Sequence, residues 1–200
     1  MSLRRTVDLV VAGGALIAAS PLMIAIGAAI LLLDGRPILF RQSRVSTDGK
    51  LFDVIKFRTM RDTRDASGVL LPDAMRATVI GRLLRATRLD ELPQLWNIAT
   101  GAMSLIGPRP LLPATIALAG ERGRLRCTVR PGLTGWAQVN GNTLLSDADK
   151  LALDLWYIAN RSLALDLQIL ARTIVVATTG ERTDPVSIRK AHESNPHRRG

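Results

Sequence analysis

The chain has 200 residues, 47% of them hydrophobic and only 4% aromatic, and it carries a formal net charge of +10. That balance calls for an anionic partner, whether nucleic acid, an anionic membrane surface or a phosphorylated substrate. Two histidines, His192 and His197, both in a polar tail, and one cysteine, Cys127, exclude a His-based acid/base site, a His-rich metal site and an internal disulfide; any chemistry falls to carboxylates, Lys and Arg.

Leu9 to Leu33 is an uncharged, mostly apolar run. A hydrocarbon core about 30 Å thick needs roughly 20 apolar residues of helix, so the segment is long enough to cross it. It exceeds the roughly 7–15 apolar residues of a signal peptide, which makes it a permanent anchor. Arg4 and Arg5 flank one end, while Arg36, Arg41 and Arg44 flank the other, and positive charge marks the cytoplasmic side. Ser20-Pro21 sits at the middle. Proline removes a backbone donor and kinks or breaks a helix, and the serine hydroxyl can satisfy a carbonyl so freed. The segment therefore reads either as a re-entrant helix that enters and leaves on one face, or as a spanning helix with a tolerated proline.

From Pro37 the pattern changes to strands. Ile38-Leu39-Phe40 and Leu51 to Phe57 flank Ser46-Thr47-Asp48-Gly49, and Asp-Gly is a hairpin turn signal. Alternation places Phe52, Val54, Lys56 and Arg58 on one face of the second strand. Arg61 to Pro72 is polar and reads as a mobile loop. Ala77 to Arg88 reads as a helix with Ile80, Leu83 and Leu84 opposite Arg82, Arg85 and Arg88. It is either an ordinary surface helix or one lying on the lipid surface.

Leu89-Asp90-Glu91-Leu92-Pro93-Gln94-Leu95-Trp96-Asn97 contains the only adjacent pair of acids. Asp90 is placed as an N-cap, with Pro93 in the first helical turn. Arg85 and Arg88 precede the pair, and Met103-Ser104-Leu105-Ile106-Gly107-Pro108-Arg109-Pro110 follows with a rigid loop presenting another cation. Carboxylates, arginines and a helix N-terminus together suit a phosphate-bearing substrate with a divalent metal. Thr128 to Asn142 is a Gly-punctuated loop around a short strand. Ser146 to Tyr157 is a capped helix containing Asp154. Leu163 to Thr179 is an apolar helix that packs or lies in the interface, ended by Gly180. Arg182 to Gly200 is polar and is expected to be poorly ordered.

Four of these stretches resemble, in this order, the motifs of the small monotopic phosphoglycosyl transferases, the bacterial sugar transferase family. They are Lys56-Phe57-Arg58-Thr59-Met60, Leu89 to Asn97, Met103 to Pro110, and Arg130-Pro131-Gly132-Leu133-Thr134-Gly135-Trp136. The match runs from the Ser20-Pro21 segment to about residue 180. The resemblance implies an α+β, predominantly α, monotopic membrane protein. Its parts would be a re-entrant membrane helix kinked at Ser20 and Pro21 (1–36), an interfacial catalytic domain with a β-hairpin and amphipathic helices (37–180), and a polar tail (181–200).

The implied reaction moves a phospho-sugar from a UDP-sugar to polyprenol phosphate, releasing UMP and initiating glycoconjugate or polysaccharide assembly. Asp90 is implied as the nucleophile of a covalent intermediate. Glu91 is implied as metal ligand or acceptor base, and Mg²⁺, held by Asp90 and Glu91, as the cofactor. Lys56, Arg58, Arg85, Arg88, Pro108, Arg109, Pro110, Gln138 and Asp154 are the substrate-binding candidates. At Arg88-Leu89, many relatives carry a small hydroxyl residue before the acid pair. Anionic lipids at the cytoplasmic face of the bacterial plasma membrane are the expected surroundings. No nucleic-acid partner is expected, and a homodimer is left open. A non-catalytic membrane scaffold would leave the acid pair without purpose, and a nucleic-acid binder is disfavoured by the scarce aromatics.

Overall fold

The structure, a computed structural model, describes residues 3–194. It is predominantly helical with two small sheets. In chain order the elements are α1 (Leu3–Leu33), β1 (Leu39–Val45), β2 (Leu51–Phe57), α2 (Asp73–Arg76), α3 (Val79–Ala86), α4 (Gln94–Thr100), β3 (Ser104–Ile106), α5 (Pro113–Leu118), α6 (Gly120–Arg126), β4 (Gly132–Thr134), α7 (Trp136–Val139), α8 (Asp147–Ala159), α9 (Leu163–Thr179) and α10 (Pro185–Glu193). Two compact units divide the chain. The first takes the chain up to Gln42 together with Asp53–Ala99; the second takes Ser43–Phe52 and everything from Thr100.

In the first unit, α1 is one helix of 31 residues, long and apolar enough to cross a membrane. It runs through Pro21 without interruption. Pro21 lacks the N–H that would bond the carbonyl four residues back, which is that of Ile17. The Ser20 hydroxyl donates to that same carbonyl at 2.8 Å. Near the N-terminal end of α1, Arg5 donates to the carbonyls of Ile98 (2.6 Å) and Ala99 (2.8 Å) in the last turn of α4. Just past the other end, Arg58 donates to the carbonyls of Asp34 (2.6 Å), Gly35 (2.7 Å) and Arg36 (2.7 Å). The last carbonyls of α4 have no partner within their own helix, and Arg5 supplies one, while Arg58 does the same for the turn that follows α1. Both ends of α1 are thus tied to the same unit. Its C-terminal half packs Ile26 and Ile30 on Phe57 of β2 and Leu84 of α3, with Leu89 and Leu92 against the cluster.

The hairpin turn forms where Asp-Gly directs it: Asp48 (φ 57°) and Gly49 (φ 76°) both take left-handed backbone. α3 is shorter than the expected 77–88 helix. Thr78 caps it by accepting from the Gly81 amide at 2.9 Å, and Ala77 before it is extended. Leu83, expected on the apolar face, is exposed, because Gly81 and Leu84 make the contacts with the unit.

In the second unit, β3 and β4 pair in parallel, Ser104 opposite Gly132 and Ile106 opposite Thr134. The third and fourth sequence motifs therefore lie side by side. The core gathers α7, α8, α9 and α10 around Trp136, Leu153, Tyr157 and Ile169, with Trp136 stacked on Trp156 at 5.3 Å. Ser146 and Ser162 cap α8 and α9, and Gly180 (φ 86°) ends α9. Leu165 and Ile169 of α9 are buried, whereas Leu163, Leu167 and Ile174 face outward. The tail expectation needs correcting. Asp184 accepts from the Val186 and Ser187 amides and starts α10, with Pro185 in its first turn, and Ala191 of that helix is 1% exposed in the core. The remaining residues of the tail, 195–200, with His197, lie outside the described residues.

Candidate active site

Arg88 adopts left-handed backbone (φ 56°) and turns the chain out of α3 into a single 3-10 turn, Leu89–Glu91. Asp90 is therefore not the N-cap expected for the following helix; it sits inside this turn, and α4 begins at Gln94 after Pro93. The turn rests on the apolar cluster through Leu89 and Leu92, which leaves its two acids pointing toward β2 and α3.

Three local contacts set the geometry around it. Asn97 of α4 donates from Nδ2 to the Asp53 carbonyl (2.8 Å) and accepts at Oδ1 from the Ile55 amide (3.1 Å), fixing α4 against β2. With that register set, Lys56 on β2 meets Glu91, Nζ to Oε1 at 2.6 Å, with both side chains mostly buried. On the other flank, Arg85 donates from Nε to the Thr59 hydroxyl at 3.0 Å. α3 approaches Thr59 so closely that a Cβ on Gly81 would lie 2.0 Å from the Thr59 carbonyl oxygen, so only glycine fits there.

Asp90 is buried, and burial pushes its carboxyl above the ordinary range. The neighbouring Glu91 carboxylate pushes the same way, while the charges of Lys56 and Arg85 oppose both. A buried carboxylate held between two cations can act as a nucleophile toward an anionic phosphoryl group, because the cations lower the repulsion the two would otherwise feel. Asp90 and Glu91 also bear on the metal. Among the described residues no three His, Cys, Asp or Glu side chains gather into a cage. Two carboxylates nevertheless fit Mg²⁺, which takes one or two and completes its shell with substrate phosphates and water.

The structure thus brings Lys56, Arg85, Asp90 and Glu91 together. Arg88 is exposed at the turn, and Arg58 is occupied with the carbonyls beyond α1. The remaining candidates belong to the second unit. There the Gly107 amide donates to the Thr134 carbonyl and the Gly132 amide to the Pro108 carbonyl, each at 2.9 Å, locking the Pro108-Arg109-Pro110 loop onto β4. A Cβ on Gly135 would lie 2.1 Å from the Gly107 carbonyl oxygen, which explains the glycine in the fourth motif. Arg126 then holds the loop from behind: it donates to the Arg109 carbonyl and, from Nε, to Asp154 Oδ2 at 2.7 Å. Asp154 is buried, and burial raises its carboxyl against the opposing pull of Arg126. Gln138 donates to the Leu133 carbonyl at 3.1 Å and keeps its buried Oε1 without a hydrogen-bond partner.

Arg126, Thr59 and Asn97 escaped the sequence reading as functional groups. Thr59 and Asn97 lay within motifs already marked, whereas Arg126 sits in a polar stretch (Gly120–Arg126) with no periodicity to distinguish it.

Known proteins resemble this chain over most of its length. The family model described as bacterial sugar transferase matches residues 1–180. An uncharacterized sugar transferase, EpsL of Bacillus subtilis, is 46% identical over 174 residues, covering 87% of this chain and 86% of that protein. The UDP-glucose:undecaprenyl-phosphate glucose-1-phosphate transferase of Escherichia coli is 38% identical over 182 residues, 86% of this chain and 39% of the longer relative. The UDP-N-acetylgalactosamine-undecaprenyl-phosphate N-acetylgalactosaminephosphotransferase of Aeromonas hydrophila is 38% identical over 188 residues, 89% of this chain and 44% of that protein.

Proposed function

The chain belongs to the bacterial sugar transferase family, and on that premise we propose that it moves a sugar 1-phosphate from a UDP-sugar to polyprenol phosphate through a covalent intermediate on Asp90. The observation that carries this reading is the buried Asp90 carboxylate set between the charges of Lys56 and Arg85. An Asp90 carboxylate oxygen attacks the phosphorus that bears the sugar. The P–O bond to UMP breaks, and UMP departs with the electron pair. An oxygen of polyprenol phosphate then attacks the same phosphorus, the acyl-phosphate bond breaks, and the Asp90 carboxylate is restored. Two displacements let a soluble donor and a lipid acceptor use one carboxylate in turn.

Lys56 and Arg85 offset the phosphate charge that faces the nucleophile. Glu91 orients Lys56 and takes any proton carried by the acceptor phosphate. Asp90 and Glu91 would hold Mg²⁺, which when bound neutralises the diphosphate. Arg88 sits at the exposed lip of the turn as a further phosphate ligand. In the second unit, Arg109 on its loop between two prolines, Gln138 and, through Arg126, Asp154 keep the substrate-binding roles that the motifs imply. The names of the relatives specify glucose in one case and N-acetylgalactosamine in another, so the sugar is set by side chains that differ within the family.

α1 is read as re-entrant, with the catalytic turn on the cytoplasmic face of the plasma membrane among anionic lipids. In support, both of its ends are held by guanidiniums within one unit, and Ser20 compensates the carbonyl that Pro21 leaves. The deciding experiment mixes purified protein with UDP-sugars and polyprenol phosphate and measures UMP. Asp90→Asn should abolish release, and UMP release persisting in that variant would sink the mechanism.

A further inference from the structure

A groove of about 730 Å³ opens in the first unit beside the end of α1. Its apolar wall comes from Leu33, the last residue of α1, and from Met75, Val79 and Leu83 of the α2–α3 segment, with Ile80 joining it to the cluster beneath Asp90. Met75, Val79 and Leu83 are 69%, 78% and 62% exposed. The rest of the lining holds three arginines, Arg61, Arg76 and Arg82, with Asp34, Ala77 and Thr78. Arg61 is held by Asp34 at 2.9 Å, Arg76 by Asp73 at 2.7 Å, and Arg82 by the Ala77 carbonyl at 2.9 Å. Apolar walls with guanidiniums preset at the rim suit an anionic amphiphile, and the volume falls within the roughly 300–1,000 Å³ of small-ligand sites.

The groove also has a direction. Val79 and Leu83 lie four residues apart on α3, and Arg82 and Arg85 lie three apart on the adjoining face. Arg85 bonds the Thr59 hydroxyl and is one of the two cations, with Lys56, whose charge acts on Asp90. From Val79 to Arg85 the helix rises roughly 9 Å. A molecule with its phosphate beside Arg85 would lead a hydrocarbon chain back along α3, past Arg82, and into the groove next to the apolar end of α1.

We propose that this groove binds the first isoprenoid units of the polyprenol phosphate acceptor, so that Met75, Val79 and Leu83 recognise the lipid while taking no part in the attack on the UDP-sugar. The inference rests on the transferase reading above and adds the place where the acceptor chain lies.

The test compares wild type with Val79→Ser, Leu83→Ser and the double variant in detergent micelles. A polar side chain at two contacts should raise KM for a long-chain polyprenyl phosphate roughly tenfold. KM for dimethylallyl phosphate, too short to fill the groove, should stay as in wild type, and so should the burst of UMP formed without acceptor. Equal losses with long and short acceptors, a lower burst, or an unchanged KM for the long acceptor would overturn the proposal. So would a defect confined to vesicle binding, since that marks a general lipid surface. A second readout needs no turnover: a diazirine-bearing long-chain polyprenyl phosphate should label the Met75–Leu83 peptide, with competition by polyprenyl phosphate and none by phosphatidylglycerol. Labelling that phosphatidylglycerol competes away, or none in that peptide, overturns the groove. If wild type releases no UMP, the transferase reading fails and the labelling result still decides the groove.

Discussion

Lys56 Nζ lies 2.6 Å from Glu91 Oε1, joining the second strand of the hairpin to the turn that carries Asp90 across 35 residues of sequence. The same lysine charge opposes the burial that raises Asp90. One cation therefore bears on both acids, orienting one and favouring the charged form of the other.

Removing that charge should move the acid limb of the reaction. Asp90 must be ionised to attack, so UMP release rises with pH through a value above the ordinary carboxyl range. Lys56→Met takes away a lowering influence, and the limb should shift to higher pH while the maximal rate falls. The pH profile of the first UMP burst reads both. An acid limb that stays in place would show that Lys56 does not act on Asp90.

Stability should run opposite to activity at Asp90. Its folded carboxyl titrates above the unfolded value of about 3.9. The contribution is fully present below the unfolded value and is lost as pH rises through the folded one, because burial favours the protonated form. At neutral pH the ionised group is therefore a net cost, which Asp90→Asn should relieve. Thermal unfolding near neutrality should show a higher Tm for this variant, and the gain should vanish in strong acid.

Asp154 and Arg126 form a buried ion pair, each side chain 4% exposed. Asp154→Asn or Arg126→Met alone leaves one charge without its partner and should cost about 3–5 kcal/mol. Replacing both by apolar residues of similar volume should recover much of that stability. It should not recover turnover, because the Arg109 carbonyl loses its donor and the Pro108-Arg109-Pro110 loop its support. Tm and kcat/KM measured on the single and double variants separate the two effects.

Gly81→Ala should be costly for a single methyl group. The added carbon would meet the Thr59 carbonyl at 2.0 Å, so α3 must move away, at about 1–3 kcal/mol for an overpacked site. Displacing α3 would also carry Arg85 from Thr59 and from Asp90. Denaturant unfolding should report the loss, and the UMP burst should slow beyond what the unfolded fraction explains.

The re-entrant reading of α1 makes a topological prediction. In a Cys127→Ser background, single cysteines at Thr6 and Ser194 should react with an impermeant maleimide from the same side of a sealed vesicle. Reaction from opposite sides would establish a spanning helix. Arg5→Ala and Arg58→Ala should weaken the placement of the helix ends without changing its apolar length.

Much of the architecture was legible because it is encoded over a few residues. The apolar length of α1, the Asp48-Gly49 turn, the Ser146 cap and the stop at Gly180 are short-range matters of hydropathy, backbone freedom and side-chain-to-backbone bonding. The reading failed where a neighbour outside the window decided. Asp90 has the sequence of an N-cap, but left-handed Arg88 and the packing of Leu89 and Leu92 draw it into a separate turn. The polar tail has the composition of a disordered segment, yet Ala191 finds a place in the core of the second unit.

By itself the sequence determined which chemistry was available: no histidine site, a single adjacent acid pair, arginines and lysines on either side of it, and an apolar helix long enough for a membrane with a proline at its middle. Only the tertiary structure decided how those groups are used. It gave Lys56 to Glu91, spent Arg58 on the carbonyls at the end of α1, and put Asp154 behind the Arg109 loop through Arg126. The reason is physical. A guanidinium or carboxylate has much the same local preferences whether it meets a substrate, a carbonyl or another side chain. The choice among them follows from burial and distance, which exist only once the chain has folded.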